Sequence, residues 1–358
     1  MTTKPTGTAR RATIDDVARH AAVSRATVSQ VLGQVGRISP ATRDHVLSAM
    51  AEIGYVYNES AAHLRRGTSR TVGLLVHDIA NPFYAEMTAG VTALLEREGL
   101  LVYLANSAES IERQERFLNS FRQRDVAGLI LCPARQTPAG TLDRLAAWRL
   151  PTVVSVRHLD QGDFDFVGVD NLGGTREATR HLIAAGHTAI AFVGGAEVST
   201  SRGERLQGFR EAMHHAGLPV LNGAEMACAA TLEAGSEAAL WLLAQREEIT
   251  AFVCYHDVVA LGVLIGLQRV TPARARGIAV TGFDDIEAAR LWSPSLTTVS
   301  ITPRNLGEAA GQALLERMAS PNLPPRLIRL PTTLVVREST RAPQHCVRGG
   351  SEMFGPGI

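Results

Sequence analysis

Residues 12–55, ATIDDVARHAAVSRATVSQVLGQVGRISPATRDHVLSAMAEIGY, carry three short helical patterns in succession. Thr13, with Asp16 three residues on, forms an N-cap and capping box for a first helix through His20, with Ile14, Val17 and Ala18 on one face. Ala21-Ala22-Val23 makes a tight connection. Ser24 caps a second helix, in which Val28, Val31 and Leu32 recur at helical spacing and leave Arg25, Ala26, Ser29 and Gln30 facing outward. Ser39-Pro40 supplies a cap and first-turn proline for a third helix with the stripe Val46, Leu47, Met50 and Ile53. Two helices across so short a turn, with a third to bury their shared face, match the helix-turn-helix design, whose second helix enters the major groove by its N-terminal end. An ordinary helical bundle has the same spacing.

Charge weighs for DNA. Residues 1–70 carry ten Lys and Arg against five acids, a net of +5, while the whole chain is +1 and the remainder therefore −4. A basic head on a mildly acidic body is what phosphate binding at one end requires.

The run T-I-D-D-V-A at Thr13–Ala18, V-S-R-A-T-V-S at Val23–Ser29, R-I-S-P-A-T-R at Arg37–Arg43 and I-G-Y-x-x-N-x-x-A-x-x-L from Ile53 to Leu64 resembles the lactose-repressor (LacI) family of bacterial transcriptional regulators, and the resemblance continues to about residue 340.

A chain of 358 residues is too long for one compact core. With 45% hydrophobic and 20% charged residues it reads as soluble globular material. It shows neither a signal peptide nor an apolar run long enough to span a membrane, so a cytoplasmic location is expected. The four cysteines (Cys132, Cys228, Cys254, Cys346) have no ligand spacing and read as thiols in a reducing compartment; no metal, cofactor or catalytic set is implied. Residues 1–11 read as a disordered arm, and 341–358 as a disordered tail without the leucine heptads of a tetramerising helix.

Residues 57–70 form either a plain linker or a short helix capped by Asn58 with Ala61, Ala62 and Leu64 on its apolar face, too short to be stable alone. The resemblance implies a hinge helix that orders on operator DNA, with Asn58, Ala61 and Leu64 at the minor groove and Leu64 wedged into the central base step. Tyr57 stands where the family commonly has proline.

From residue 71, nine apolar runs (72–76, 100–105, 128–132, 152–156, 166–169, 189–195, 251–255, 278–283 and 296–301) alternate with amphipathic stretches. That alternation predicts parallel sheets covered on both faces, in two doubly wound units. The resemblance implies a periplasmic-binding-protein-like body of two α/β lobes behind the small all-α head. The lobes are expected at about 71–168 plus 301–330 and 169–299 plus 331–340, with a ligand cleft beyond the carboxyl ends of the strands.

Residues at those strand ends are the candidates for binding a small-molecule effector. Asp78, Phe83 and Tyr84 lie in the turn after the first strand, where the aromatics can stack on a sugar or base ring, or Phe83 can simply pack in the core. Arg135 follows the third strand. Arg205, with Ser201 beside it, and Asp284 match the family's effector-binding arginine and aspartate; they can equally form a structural ion pair. His256 replaces the family's pocket asparagine, and its titration is expected to make effector affinity pH-dependent. Asp257 is expected to cap the following helix. His256, and Ile301 where glutamine is common, block transfer of any particular sugar's identity.

On the DNA side the resemblance places Arg25 and Ala26 at the base-reading positions, with Gln30 one turn on. Arg25 suits guanine and Gln30 adenine. Thr13, Ser24, Thr27 and Ser29 are placed for phosphates. Gly33 stands where the family has asparagine. The expectation is a homodimeric, ligand-responsive regulator, more a repressor than an activator, of a sugar-utilisation operon. It would bind a palindromic operator in double-stranded DNA. A secreted sugar-binding protein would have no use for residues 12–66. An α/β enzyme would need a phosphate-cradling loop or nucleophile–base set that does not stand out here.

Overall fold

The computed structural model describes residues 12–33, 36–57, 69–159, 163–275 and 277–340. The hinge candidates Asn58, Ala61 and Leu64, the N-terminal arm, the C-terminal tail and Cys346 lie outside these residues. The chain divides after Ser69 into two compact units.

The first unit holds three helices, α1 (Ile14–His20), α2 (Arg25–Gly33) and α3 (Pro40–Glu52). Thr13 caps α1 through a reciprocal capping box with Asp16. The Ser24 hydroxyl accepts from the Thr27 N–H at 3.0 Å, and Ser39 caps α3 behind Pro40. Val17, Val28, Val31, Val46 and Ala49 close a small core. Leu47, placed on the apolar stripe by sequence, is 47% exposed. Val46, Ala49, Met50 and Ile53 already fill the facing stripe, and Leu47 stands 100° round the helix from Val46. His20 bonds Glu52 at 2.8 Å, tying α1 to α3.

The second unit is built on two six-stranded sheets. The first runs β11 (Leu327–Leu330), β5 (Asp165–Val169), β4 (Thr152–Ser155), β3 (Gly128–Leu131), β1 (Thr71–Val76) and β2 (Leu101–Asn106), all parallel. The second runs β12 (Thr333–Val335), β10 (Thr297–Ser300), β9 (Ala279–Asp284), β8 (Ala251–Cys254), β6 (Ile190–Val193) and β7 (Glu225–Met226). It is parallel except that β12 pairs antiparallel to β10. The central strands are buried throughout because helices cover both faces, which is why their sequences read as unbroken apolar runs. Burying a side chain such as Phe252 or Leu129 contributes roughly 1.5–3 kcal/mol.

The chain passes between the sheets three times: from β5 through the helix Asn171–Ala184, from β10 through the helix Pro303–Ala319, and from β11 directly into β12. Close helix approach fixes the second of these crossings. A Cβ at Gly307 would stand 2.1 Å from the Met87 carbonyl, so only glycine fits there. Asp165 opens β5 with a fully buried carboxylate, bonded by Arg317 at 2.8 Å and by the Arg326 N–H at 2.9 Å.

Three strands went unrecognised in the sequence: β7, β11 and β12. All are short and sit at or next to a sheet edge. β11 alternates exposed and half-buried positions between Pro325 and Pro331, so it lacks the continuous apolar signature of the inner strands.

Candidate functional site

The carboxyl ends of both sheets open onto one cavity of about 330 Å³. All eight effector candidates line it: Asp78, Phe83, Tyr84, Arg135, Ser201, Arg205, His256 and Asp284. A larger cavity of about 470 Å³ lies beside Ala279, at the amino end of β9, among Leu264, Leu267, Val270 and Ile278. His187, Gln268, Glu338, Ser339 and Thr340 also line it, but none of the effector candidates does.

On the second-sheet side, Arg205 leans over the Phe283 ring, 3.6 Å from its centroid. Its Nε donates to Asn171 at 2.8 Å, its Nη1 donates to the Tyr255 carbonyl, and its Nη2 lies 3.6 Å from Asp284. Burial raises the Asp284 carboxyl to about 7, although the neighbouring Arg205 pulls it down. The backbone of Asp284 has φ 111°, and that of Val156 across the cleft has φ 68°. Side chains with a Cβ rarely hold such angles, which cost roughly 1–3 kcal/mol each and concentrate at binding sites. Ser201 bonds the Tyr255 hydroxyl at 2.9 Å.

His256 departs from its sequence reading in two ways. It, not Asp257, caps the helix Asp257–Leu267: its Nδ1 accepts from the Val259 N–H at 3.2 Å. Asp257 instead accepts from the Ile286 N–H and from Thr298, joining three elements of the second lobe. Burial, helped by Arg205, lowers the His256 imidazole to about 3, so it does not titrate near neutrality. A neutral ring that accepts at Nδ1 carries its proton on Nε2. That atom is buried without a partner among the described residues, so His256 offers the cavity one fixed donor.

The first-sheet wall contains a network that sequence reading missed. Arg157, after β4, donates to Glu109 at 2.9 Å and to the Pro133 carbonyl at 2.6 Å. The Glu109 carboxylate also accepts from the Arg135 N–H at 2.9 Å. Burial alone would raise Glu109; His77 and Arg157 bring it below its ordinary value. His77 bonds Tyr84 at 2.6 Å and is lowered to about 3, by burial first and Arg157 second. Phe83 is buried at the helix start and still lines the cavity, edge-on to Tyr84. A residue directly after a buried strand was the available signal for His77 and Arg157. Glu109 had none.

In the head, Arg25, Ala26, Ser29 and Gln30 are exposed on α2. The Arg25 guanidinium stands 3.5 Å from Asp15, both largely in water. Thr13 and Ser24 hold caps, and Thr27 is half-buried against Ser24.

Comparison with known proteins agrees with both halves. Residues 13–58 match the family of bacterial regulatory proteins of the lacI type, and residues 179–340 match a periplasmic binding protein-like domain. The chain is 32% identical to the maltose regulon regulatory protein MalI of Escherichia coli K12, over 92% of this chain and 98% of that protein. It is 34% identical to the ribose operon repressor of the same strain, over 92% and 99%. Among solved structures, the lac repressor dimer bound to operator and the anti-inducer ONPF superposes with a TM-score of 0.81 at 26% identity, over 93% of this chain and 100% of that one. Among the described residues no helix is long and apolar enough to cross a membrane. The chain belongs to the LacI family of bacterial regulatory proteins and is a ligand-responsive, DNA-binding transcriptional regulator.

Proposed function

We propose that this protein acts in the cytoplasm as a homodimeric repressor of carbohydrate-utilisation genes. Residues 12–56 read a palindromic operator, residues 57–70 link them to the body at 71–340, and an uncharged sugar in the cleft changes operator affinity. The observation that carries the sugar is how the cleft's charges are already engaged. Each of its three arginines stands within hydrogen-bonding or ion-pair reach of a carboxylate, Arg157 at 2.9 Å and Arg135 at 3.8 Å from Glu109 and Arg205 at 3.6 Å from Asp284, and both histidines are held neutral. A phosphate or carboxylate would have to displace those carboxylates, whereas hydroxyl groups find donors and acceptors around the aromatic faces of Phe83, Tyr84 and Tyr255. Two relatives, the regulatory protein of a maltose regulon and the repressor of a ribose operon, agree with that class.

Ligand binding changes the lobes' preferred closure, and the operator-bound pair of heads selects one closure; the two equilibria are linked. A thermal-shift screen of neutral sugars, sugar phosphates, nucleosides and small acids tests the ligand class. Selection of duplex DNA from a random pool, with and without the hit, tests the regulator. A neutral sugar that raises Tm and alters DNA retention is expected; a charged compound as the sole hit overturns the sugar reading.

A further inference from the structure

Arg205 is held by a series of contacts that leads out of the cleft. Its Nε donates to Asn171 Oδ1 at 2.8 Å. An asparagine amide can present either end, and here Glu204 decides which: its Oε2 accepts from Asn171 Nδ2 at 2.7 Å, turning Oδ1 toward Arg205. The other oxygen of Glu204 accepts from Arg329 Nη2 at 3.0 Å.

Asn171 and Glu204 stand on helices of the second lobe, whereas Arg329 stands on β11, an edge strand of the first sheet. Two residues past Arg329 the chain crosses into the second sheet. Thr332 in that crossing packs against the first turn of the Asn171 helix, its Oγ1 within 2.9 Å of where a Gly174 Cβ would sit. Asp284, Arg205, Asn171, Glu204 and Arg329 thus connect the cleft to the opposite lobe beside a crossover between the two sheets.

We infer that Glu204 is a positioning residue that couples the pose of Arg205 to the placement of the first lobe through Arg329. The inference rests on the cleft being the effector site. A charge-assisted bond of this kind is lost once its atoms separate by about an ångström. If lobe rotation withdraws Arg329, Glu204 loses its counter-charge and its fixed rotamer. The Asn171 amide then no longer holds its oxygen toward Arg205, and the guanidinium moves off Asp284. By linkage, a ligand that holds Arg205 in place favours the lobe arrangement in which Arg329 is engaged.

Asp284 is the reporter, because its carboxyl is held high by burial and drawn back by Arg205; the other acid coupled to it, Asp257, is buried and itself held high. The test is an NMR titration of the full-length dimer labelled with ¹³C at the aspartate carboxyl carbon, the Asp284 signal being assigned by its loss in Asp284→Asn. Arg329→Met, a change in the other lobe, is expected to raise the Asp284 midpoint by about one pH unit. Glu204→Gln is expected to move it the same way, the double variant no further than either single one, and Arg329→Lys to recover most of the wild-type value. Both positions are partly exposed, so either single variant suffices if the other folds poorly. Identical Asp284 midpoints in the wild type and the variants overturn the inference, as does a double variant that shifts by the sum of the singles. No effector is added, so a sugar screen without a hit counts against the sugar reading and leaves this result standing.

Discussion

Asp284 and Arg205 face each other at 3.6 Å with both side chains more than nine-tenths buried. The arginine does not fully offset the burial, and the carboxyl sits at about 7. Its folded value therefore lies above the unfolded value near 3.9, so the folded chain holds this proton more tightly than the unfolded chain does. The stability it contributes is fully present below pH about 4 and is lost as pH rises through about 7. Asp284→Asn is expected to stabilise the ligand-free protein by about 2 kcal/mol at pH 8, part of the gain being offset by the partner Arg205 loses, and by much less at pH 4.5. Urea unfolding at the two pH values checks this; equal gains at both would mean the carboxyl titrates in its ordinary range.

The same pair dictates how binding responds to pH. His256 stays neutral from pH 5.5 to 8, so it cannot supply a titration in that window. Asp284 can, and a ligand hydroxyl donating to it favours the ionised form, so sugar affinity should rise as pH passes through about 7. Calorimetric titration of the sugar returned by the screen should show that slope in wild type and in His256→Asn, and a flat profile in Asp284→Asn. His256→Phe, which removes the Nε2 donor and the helix cap together, should weaken binding by about 1–3 kcal/mol. A slope that disappears in His256→Asn would return the titration to the imidazole.

These two residues also mark where sequence reading stops. Asp284 was legible because it ends a buried strand in a recognisable run, and His256 was legible as a cleft residue for the same reason. What each does there was not, because protonation follows from burial and from Arg205, which is 51 positions from His256 and 79 from Asp284. The inner strands announced themselves through unbroken apolar runs, and the head through capping residues and 3.6-residue spacing. β7, β11 and β12 did not, since short strands at a sheet margin carry neither signal. Arg157 and Glu109 meet only after the strand order is known, and Glu109 lies in a turn that no periodicity singles out.

The head makes its own prediction. Arg25 sits at the first position of α2 with its guanidinium exposed and only 3.5 Å from Asp15, a pair too solvated to hold it away from DNA. Arg25→Ala is expected to relax preference at one base pair in each operator half-site by about 1–3 kcal/mol and leave the others unchanged. Binding measured across a set of single-base operator variants distinguishes this from a phosphate contact, which would weaken every variant alike and lower the salt dependence.

The outer edge of the first sheet is a surface suited to a second copy of the chain. β2 is an edge strand of the first sheet, and it exposes Leu101, Tyr103 and Leu104 at 57, 44 and 41%. Single exposed apolar residues are ordinary, but this edge strand is apolar on both faces, with Leu101 and Tyr103 on one and Leu104 on the other, where a monomer would ordinarily blunt the edge with charge. A second copy covering this strand would bury those side chains and supply partners for the strand's outward backbone N–H and C=O groups. Leu104→Asp places a carboxylate on that edge and is expected to shift the protein from dimer to monomer in sedimentation while leaving the sugar-induced rise in Tm, since Leu104 does not line the cleft. Operator retention should fall with the dimer, because one head reads only half of a palindrome. A variant that remains dimeric would place the interface on another face of the body.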